Sequence, residues 1–168
     1  MLTFIEFLQE GNPLYKNVEK PLSQGKKVGT VSAERYTRTP YWNKQATKSL
    51  KGDLQRLTKK GAIGKFTAVT GRYQDKDKPK GDVDKEKTFL MRQGEGKKGR
   101  HFDKIVRALG KRYGQQSTMH VSPNKEAEYQ FPAEKKKVEK LGKVAYNKPL
   151  SGGSGDTSFN GKQSFTTR

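Results

Sequence analysis

The residues with the most suggestive spacing lie in one loop. Gly94-Glu95-Gly96-Lys97-Lys98-Gly99 spells G-x-G-x-x-G between a predicted strand and a predicted helix, the context in which a dinucleotide-binding turn brings backbone amides to a pyrophosphate. The strand that follows, residues 117 to 121, carries no acid at its end to hold a ribose, and the chain is too short for a full doubly wound sheet. A nucleotide cofactor is therefore not expected. The loop amides, the start of the following helix and Lys97, Lys98 and Arg100 read either as an anion site for a nucleic-acid phosphate or as a plain surface turn.

Other groups point less far. Asp75, Asp77, Asp82 and Asp84 interleave with lysines at a spacing unlike a calcium loop, so a solvated loop is expected there. Ser117 and His120 stand three apart on a predicted strand, face opposite ways and cannot pair as nucleophile and base. With no cysteine and two scattered histidines, His101 and His120, neither a metal nor a cofactor is expected. Nothing commits the chain to catalysis, and the expectation is a protein that is not an enzyme. Tyr36, Tyr41 and Trp42 stand beside Arg35 and Arg38, an interleaving that could stack bases and hold phosphates, although Trp42 is better placed to pack a helix start on the core.

Charge sets the expected partner. Over 168 residues, 36 Lys and Arg stand against 17 acids, a net charge of +19, which a polyanion would relieve, with DNA the leading candidate. No apolar run of about 18 residues is present to cross a membrane, and the start lacks the pattern of a secretory signal.

The elements that would position these residues form a small single α+β domain in the order α-β-β-α-β-β. A helix is predicted from Tyr41 to Lys60, with Trp42, Ala46, Leu50, Leu54 and Leu57 on one face and Lys44, Lys48 and Lys51 on the other, basic face. Strands are predicted at residues 65–73 and 87–92, flanking a polar insert at 74–86, and at 117–121 and 128–131. Phe102, Ile105, Val106, Leu109 and Tyr113 mark a second helix. Residues 1–10 read as an acidic amphipathic peptide, 11–40 as a basic extended connector, 41–131 as the domain, and 132–168 as a basic helical fragment followed by a flexible tail.

The opening MLTFIEFLQE resembles the capsid-targeting peptide of internal head proteins from T-even-type phages, with Leu8-Gln9-Glu10 before Gly11 matching the triplet cut by a prohead protease. That resemblance implies a basic protein of the phage head, packaged with DNA, docked on capsid or scaffold proteins through residues 1–10, and delivered to the host cytoplasm. Val69 to Tyr73, Glu86 to Arg92 and Arg112 to Ser117 give residues 34–131 a likeness to a small bacterial and phage family of unknown function. The rival expectations are a host-takeover or anti-defence protein that binds a host protein, a structural virion protein with extended arms, and a nucleic-acid-processing enzyme.

Overall fold

Residues 63 to 74 and 83 to 93 are rich in β-branched and aromatic side chains, and they pair as the longest hairpin of the protein, β2 (Ile63–Gln74) against β3 (Val83–Gln93). The computed structural model describes residues 12–74, 77–80, 82–146, 154–159 and 163–167. Around the hairpin lie β1 (Val28–Ser32), β4 (Thr118–Val121), β5 (Glu126–Gln130), β6 (Val138–Lys143), β7 (Ala145–Tyr146), β8 (Ser154–Phe159) and β9 (Gln163–Thr167). All pair antiparallel in one sheet of order β6-β5-β4-β1-β3-β2-β8-β9-β7. A π-helical turn, Tyr15–Glu19, runs into α1 (Lys20–Ser23), and α2 (Pro40–Lys59), α3 (Gly96–Gly99) and α4 (Phe102–Arg112) follow. The protein is a small single domain of the α+β class.

Connectivity bends the sheet. β6 forms one edge and β7 belongs to the other, yet only Val144 separates them in the chain. Two residue steps reach about 7 Å at most, so the sheet must curl until its edges adjoin. The Val144 N–H donates to the Lys125 carbonyl at 2.9 Å, and the Lys125 ammonium lies 5.6 Å from the centre of the Tyr146 ring, tying β7 to the β4–β5 turn.

The curled sheet has an inner and an outer face. Leu14, Val18 and Leu22 from the N-terminal turns plug one end of the interior, packing in one cluster with Val28, Val69, Leu90, Val121, Phe159 and Phe165. Outside, α2 and α4 cover the sheet, with Leu50, Leu54, Phe102, Val106 and Leu109 packed with Val31, Phe89 and Met91. α2 begins at an N-cap, Thr39, whose hydroxyl accepts from the Trp42 N–H, with Pro40 in the first turn.

Two buried polar ties hold the outer layer. The Tyr113 hydroxyl donates to Asp53 Oδ2 at 2.6 Å, joining the end of α4 to α2, and burial followed by the Asp53 carboxylate pushes the Tyr113 phenol up to about 12. Asp103 of α4 meets His120 Nδ1 at 3.0 Å and pairs with Lys27, while His120 Nε2 lies 2.9 Å from the Thr118 hydroxyl. The His120 bond outweighs the effect of burial and, with Lys27, lowers the Asp103 carboxyl to about 2.

Several expectations change. Trp42 does not pack on the core: its side chain is 61% exposed and meets Tyr41 edge-on at 5.3 Å. The expected connector at 11–40 contains the plug and β1, which lies fully buried among β3 and β4. VGTVS lacks polar alternation because both of its faces are covered, so it is hard to see between lysines. The expected basic helix at 133–141 is a turn leading into β6, and the expected tail contributes β8 and β9, with Thr157, Phe159 and Phe165 buried. Part of the expected insert at 74–86 extends β3.

Replacing Leu22 by Ala is expected to lower the free energy of unfolding by about 2–5 kcal/mol in urea titrations, as for a core residue and unlike a connector. Because the folded-state pKa of Asp103 lies below its ordinary value of 3.8, its contribution is present above pH 4 and is lost as pH falls toward 2. Asp103→Asn should therefore flatten the stability profile in that acid window, measured by thermal unfolding across pH.

Candidate active site

The end of the sheet interior opposite the plug is open, and it forms a cleft of about 920 Å³. That volume lies within the roughly 300–1,000 Å³ of small-molecule sites. Strand register decides what faces it. On β3, Asp84, Glu86, Thr88 and Leu90 alternate inward; opposite them stand Thr30 and Ser32 on β1, and Val69, Gly71 and Tyr73 on β2. Met119, Tyr129, Thr157 and Phe165 complete the wall.

Where β1 leaves the sheet after Ser32, side chains take over its pairing. The Ser32 hydroxyl donates to the Lys87 carbonyl at 2.8 Å, and the Glu34 carboxylate accepts the Lys87 N–H at 2.8 Å. Gln115 Nε2 donates to the Glu34 carbonyl at 3.1 Å. The Asn43 side chain on α2 then clips the next residue from both sides, accepting from the Arg35 N–H at 2.9 Å and donating to its carbonyl at 3.0 Å. These bonds hold Glu34, Arg35 and Tyr36 at the mouth.

Glu86 is the perturbed group of the cleft. Its carboxylate keeps contact with solvent, but the concave wall around it excludes much of the water, and this desolvation raises its pKa. The Ser32 hydroxyl works against the rise, and the negative charge of Glu34 adds to it. Two acids held near each other in a partly dry cleft suit a cationic ligand. Lys78 pairs with Asp84 at 2.8 Å. The whole wall carries Glu34, Asp84 and Glu86 against Arg35, Arg72, Lys78 and Lys85, close to balance in a chain of net charge +19.

The sequence-expected basic residues do not form this site. Lys44, Lys48 and Lys51 are exposed on α2, Arg38 is half-buried in the loop before it, and only Arg35 reaches the cleft. Lys98 lies against Gly61 past the end of α2, whereas Arg35 and Arg38 precede its start. A helix of 20 residues separates them by about 30 Å. The glycine loop packs inward: Gly94 abuts the Gly61 carbonyl and Gly99 abuts that of Gly94, leaving no room for a Cβ. Glu95, paired with Lys26, stands at the N-cap of the four-residue α3, where its charge disfavours an anion beside Lys97, Lys98 and Arg100. Leu8, Glu10 and Gly11 lie outside the described residues. Among the described residues no cluster of three His, Cys, Asp or Glu could hold a metal, and no helix is long and apolar enough to cross a membrane.

Glu34, Glu86, Thr88 and Gly71 were not singled out by sequence reasoning. The alternation Glu86, Thr88, Leu90 was the available signal, since it puts the glutamate on the same face as a core leucine.

A sequence model of the S-adenosylmethionine lyase family matches residues 29–168. The chain belongs to the S-adenosylmethionine lyase family. Five chains of solved structures also match. One is a phage SAM lyase in complex with S-methyl-5'-thioadenosine, 13% identical, covering 70% of this chain and 88% of that chain with a TM-score of 0.35. No curated protein matches.

The family match overturns the likeness to internal head proteins and, with it, packaging with DNA, the capsid or scaffold partners, and the non-enzyme expectation. The host-takeover and structural-virion rivals fall with them. The segments Val69 to Tyr73, Glu86 to Arg92 and Arg112 to Ser117, read as belonging to a family of unknown function, lie inside this match.

The folded protein raises the pKa of Glu86, so ionising it at neutral pH costs stability, and that cost disappears as pH falls through the carboxylate range. Glu86→Gln is expected to raise the melting temperature at pH 7 and to leave it little changed at pH 4, as measured by scanning calorimetry. A ligand site that trades stability for function behaves this way.

Proposed function

We propose that the protein cleaves S-adenosylmethionine at a carbon–sulfur bond without adding water, in the cleft around Glu86. The observation that carries this reading is the family match, whose span of residues 29–168 contains every residue lining the cleft.

The chemistry asks for positioning. The sulfonium leaves as a neutral thioether, so the departing sulfur needs no proton. If the substrate's own carboxylate oxygen attacks Cγ, the O–C bond forms as the C–S bond breaks and the bonding pair passes to sulfur. The products are S-methyl-5'-thioadenosine and a four-carbon amino lactone, with atoms and charge conserved. The opposite charges of carboxylate and sulfonium cancel along this path, so a partly dry cleft favours it over bulk water. Holding the chain folded for attack converts an improbable encounter into a prepared one. Glu86 and Glu34 are placed to hold the cationic groups of the substrate, with Ser32, Asn43 and Gln115 fixing the frame around them.

One observation favours a second reading. The raised pKa of Glu86 suits a base that removes a Cβ proton, so that the C–S bond breaks by elimination and leaves an unsaturated amino acid. The two four-carbon products are isomers of equal mass, and proton NMR separates them, because only the elimination product carries vinyl protons. Either reaction places the protein's work in the host cytoplasm, where S-adenosylmethionine is found.

Incubated with S-adenosylmethionine, the purified protein is expected to release S-methyl-5'-thioadenosine, followed by liquid chromatography with mass detection. Glu86→Ala should lower kcat/KM by about 10²–10³-fold, the cost of removing one preorganised electrostatic contact. Absence of turnover by the wild-type chain would overturn the proposal.

A further inference from the structure

Thr88 lies beside the reacting region without an evident structural task. Its side chain is 4% exposed, and its hydroxyl, buried at the atom level, finds no hydrogen-bond partner among the described residues. Folded proteins rarely leave such a group unmatched unless something else completes it. The hydroxyl faces Gly71. A Cβ at position 71 would stand 3.0 Å from Thr88 Oγ1, 3.2 Å from Glu86 Cγ and 3.4 Å from Glu86 Oε1. Glycine here therefore lets Thr88 and Glu86 pack closely over position 71, where any Cβ would be crowded against both. Thr157, buried and paired in register with Gly71, closes the far side.

Polarity grades along the cleft and decides which part of a ligand lies where. Beyond Thr88 the interior is apolar, with Leu90, Val69 and Met119; toward the mouth it is charged, with Glu86, Glu34 and Arg35. S-adenosylmethionine is graded in the same sense, with a charged amino-acid end and an uncharged nucleoside end.

We infer that the Thr88 hydroxyl makes a hydrogen bond to the thioadenosine half of the substrate. This rests on the reading of the protein as an S-adenosylmethionine lyase. Thr88 is a positioning and specificity residue and takes no part in bond breaking.

The test combines three variants, Thr88→Val, Thr88→Ser and Gly71→Ala, with calorimetric titration of S-methyl-5'-thioadenosine, steady-state kinetics on S-adenosylmethionine, and melting temperature. Thr88→Val should weaken binding of S-methyl-5'-thioadenosine and raise KM about tenfold in parallel, the loss of one buried hydrogen bond. Its melting temperature should stay level or rise, since an unmatched hydroxyl is removed. Thr88→Ser should restore affinity, and Gly71→Ala, by crowding the Thr88 hydroxyl and Glu86, should weaken S-methyl-5'-thioadenosine at least as much as Thr88→Val. Unchanged affinity in Thr88→Val, or a loss confined to S-adenosylmethionine, would overturn the inference while leaving the lyase reading intact. Should Thr88→Val fail to fold, wild-type affinity in Gly71→Ala overturns it instead. A wild-type chain that neither binds S-methyl-5'-thioadenosine nor consumes S-adenosylmethionine would overturn the lyase reading and this inference together.

Discussion

One residue, Val144, joins strands that belong to opposite edges of the same sheet, and the rest of the architecture follows from that constraint. A flat sheet of this order would set β6 and β7 eight strand spacings apart, at about 4.8 Å each, far beyond the reach of one linking residue. Curling creates an interior, and an interior must be filled or used. The N-terminal turns fill one end with Leu14, Val18 and Leu22, and the other end stays hollow. The cleft is thus a by-product of closure, and its chemistry is set by which residues of β1, β2 and β3 alternate inward.

The electrostatics of the molecule divide along the same line. The excess of positive charge sits on outward surfaces, on α2 and around α3, where water screens it and no single groove gathers it. Inside, three acids stand against four bases, and Glu34 lies near enough to Glu86 to disfavour its ionisation. Net charge described the surface, while the ligand meets the lining. That is why a polyanion was the natural expectation and why a small cationic sulfonium suits the site.

Much of the framework was legible in the sequence. The 3.6-residue period of Leu50 and Leu54 and of Phe102, Val106 and Leu109 marked α2 and α4, because each has a single face on the outer core. The β2 and β3 segments showed through their β-branched and aromatic content. β1, β8 and β9 did not: a strand covered on both faces loses alternation, and strands of Ser, Thr and Gly resemble a linker until a partner far along the chain supplies their hydrogen bonds. The site was harder still. Its lining is drawn from β1, from the β2–β3 hairpin and from β8, which are far apart in the chain, so no local spacing announces Glu34 beside Glu86, or Thr157 across from Gly71.

The pairing of β8 with β2 carries a consequence for the birth of the molecule. From the synthesis of Gln74 until Ser154 has followed it, one side of the central hairpin is an open row of backbone donors and acceptors, and contacts so distant in sequence form slowly. Such an edge is a template for pairing with the same edge on another nascent chain. The large positive charge, most of which lies outside the cleft, acts during that interval: incomplete molecules repel one another for as long as their edges are unpaired.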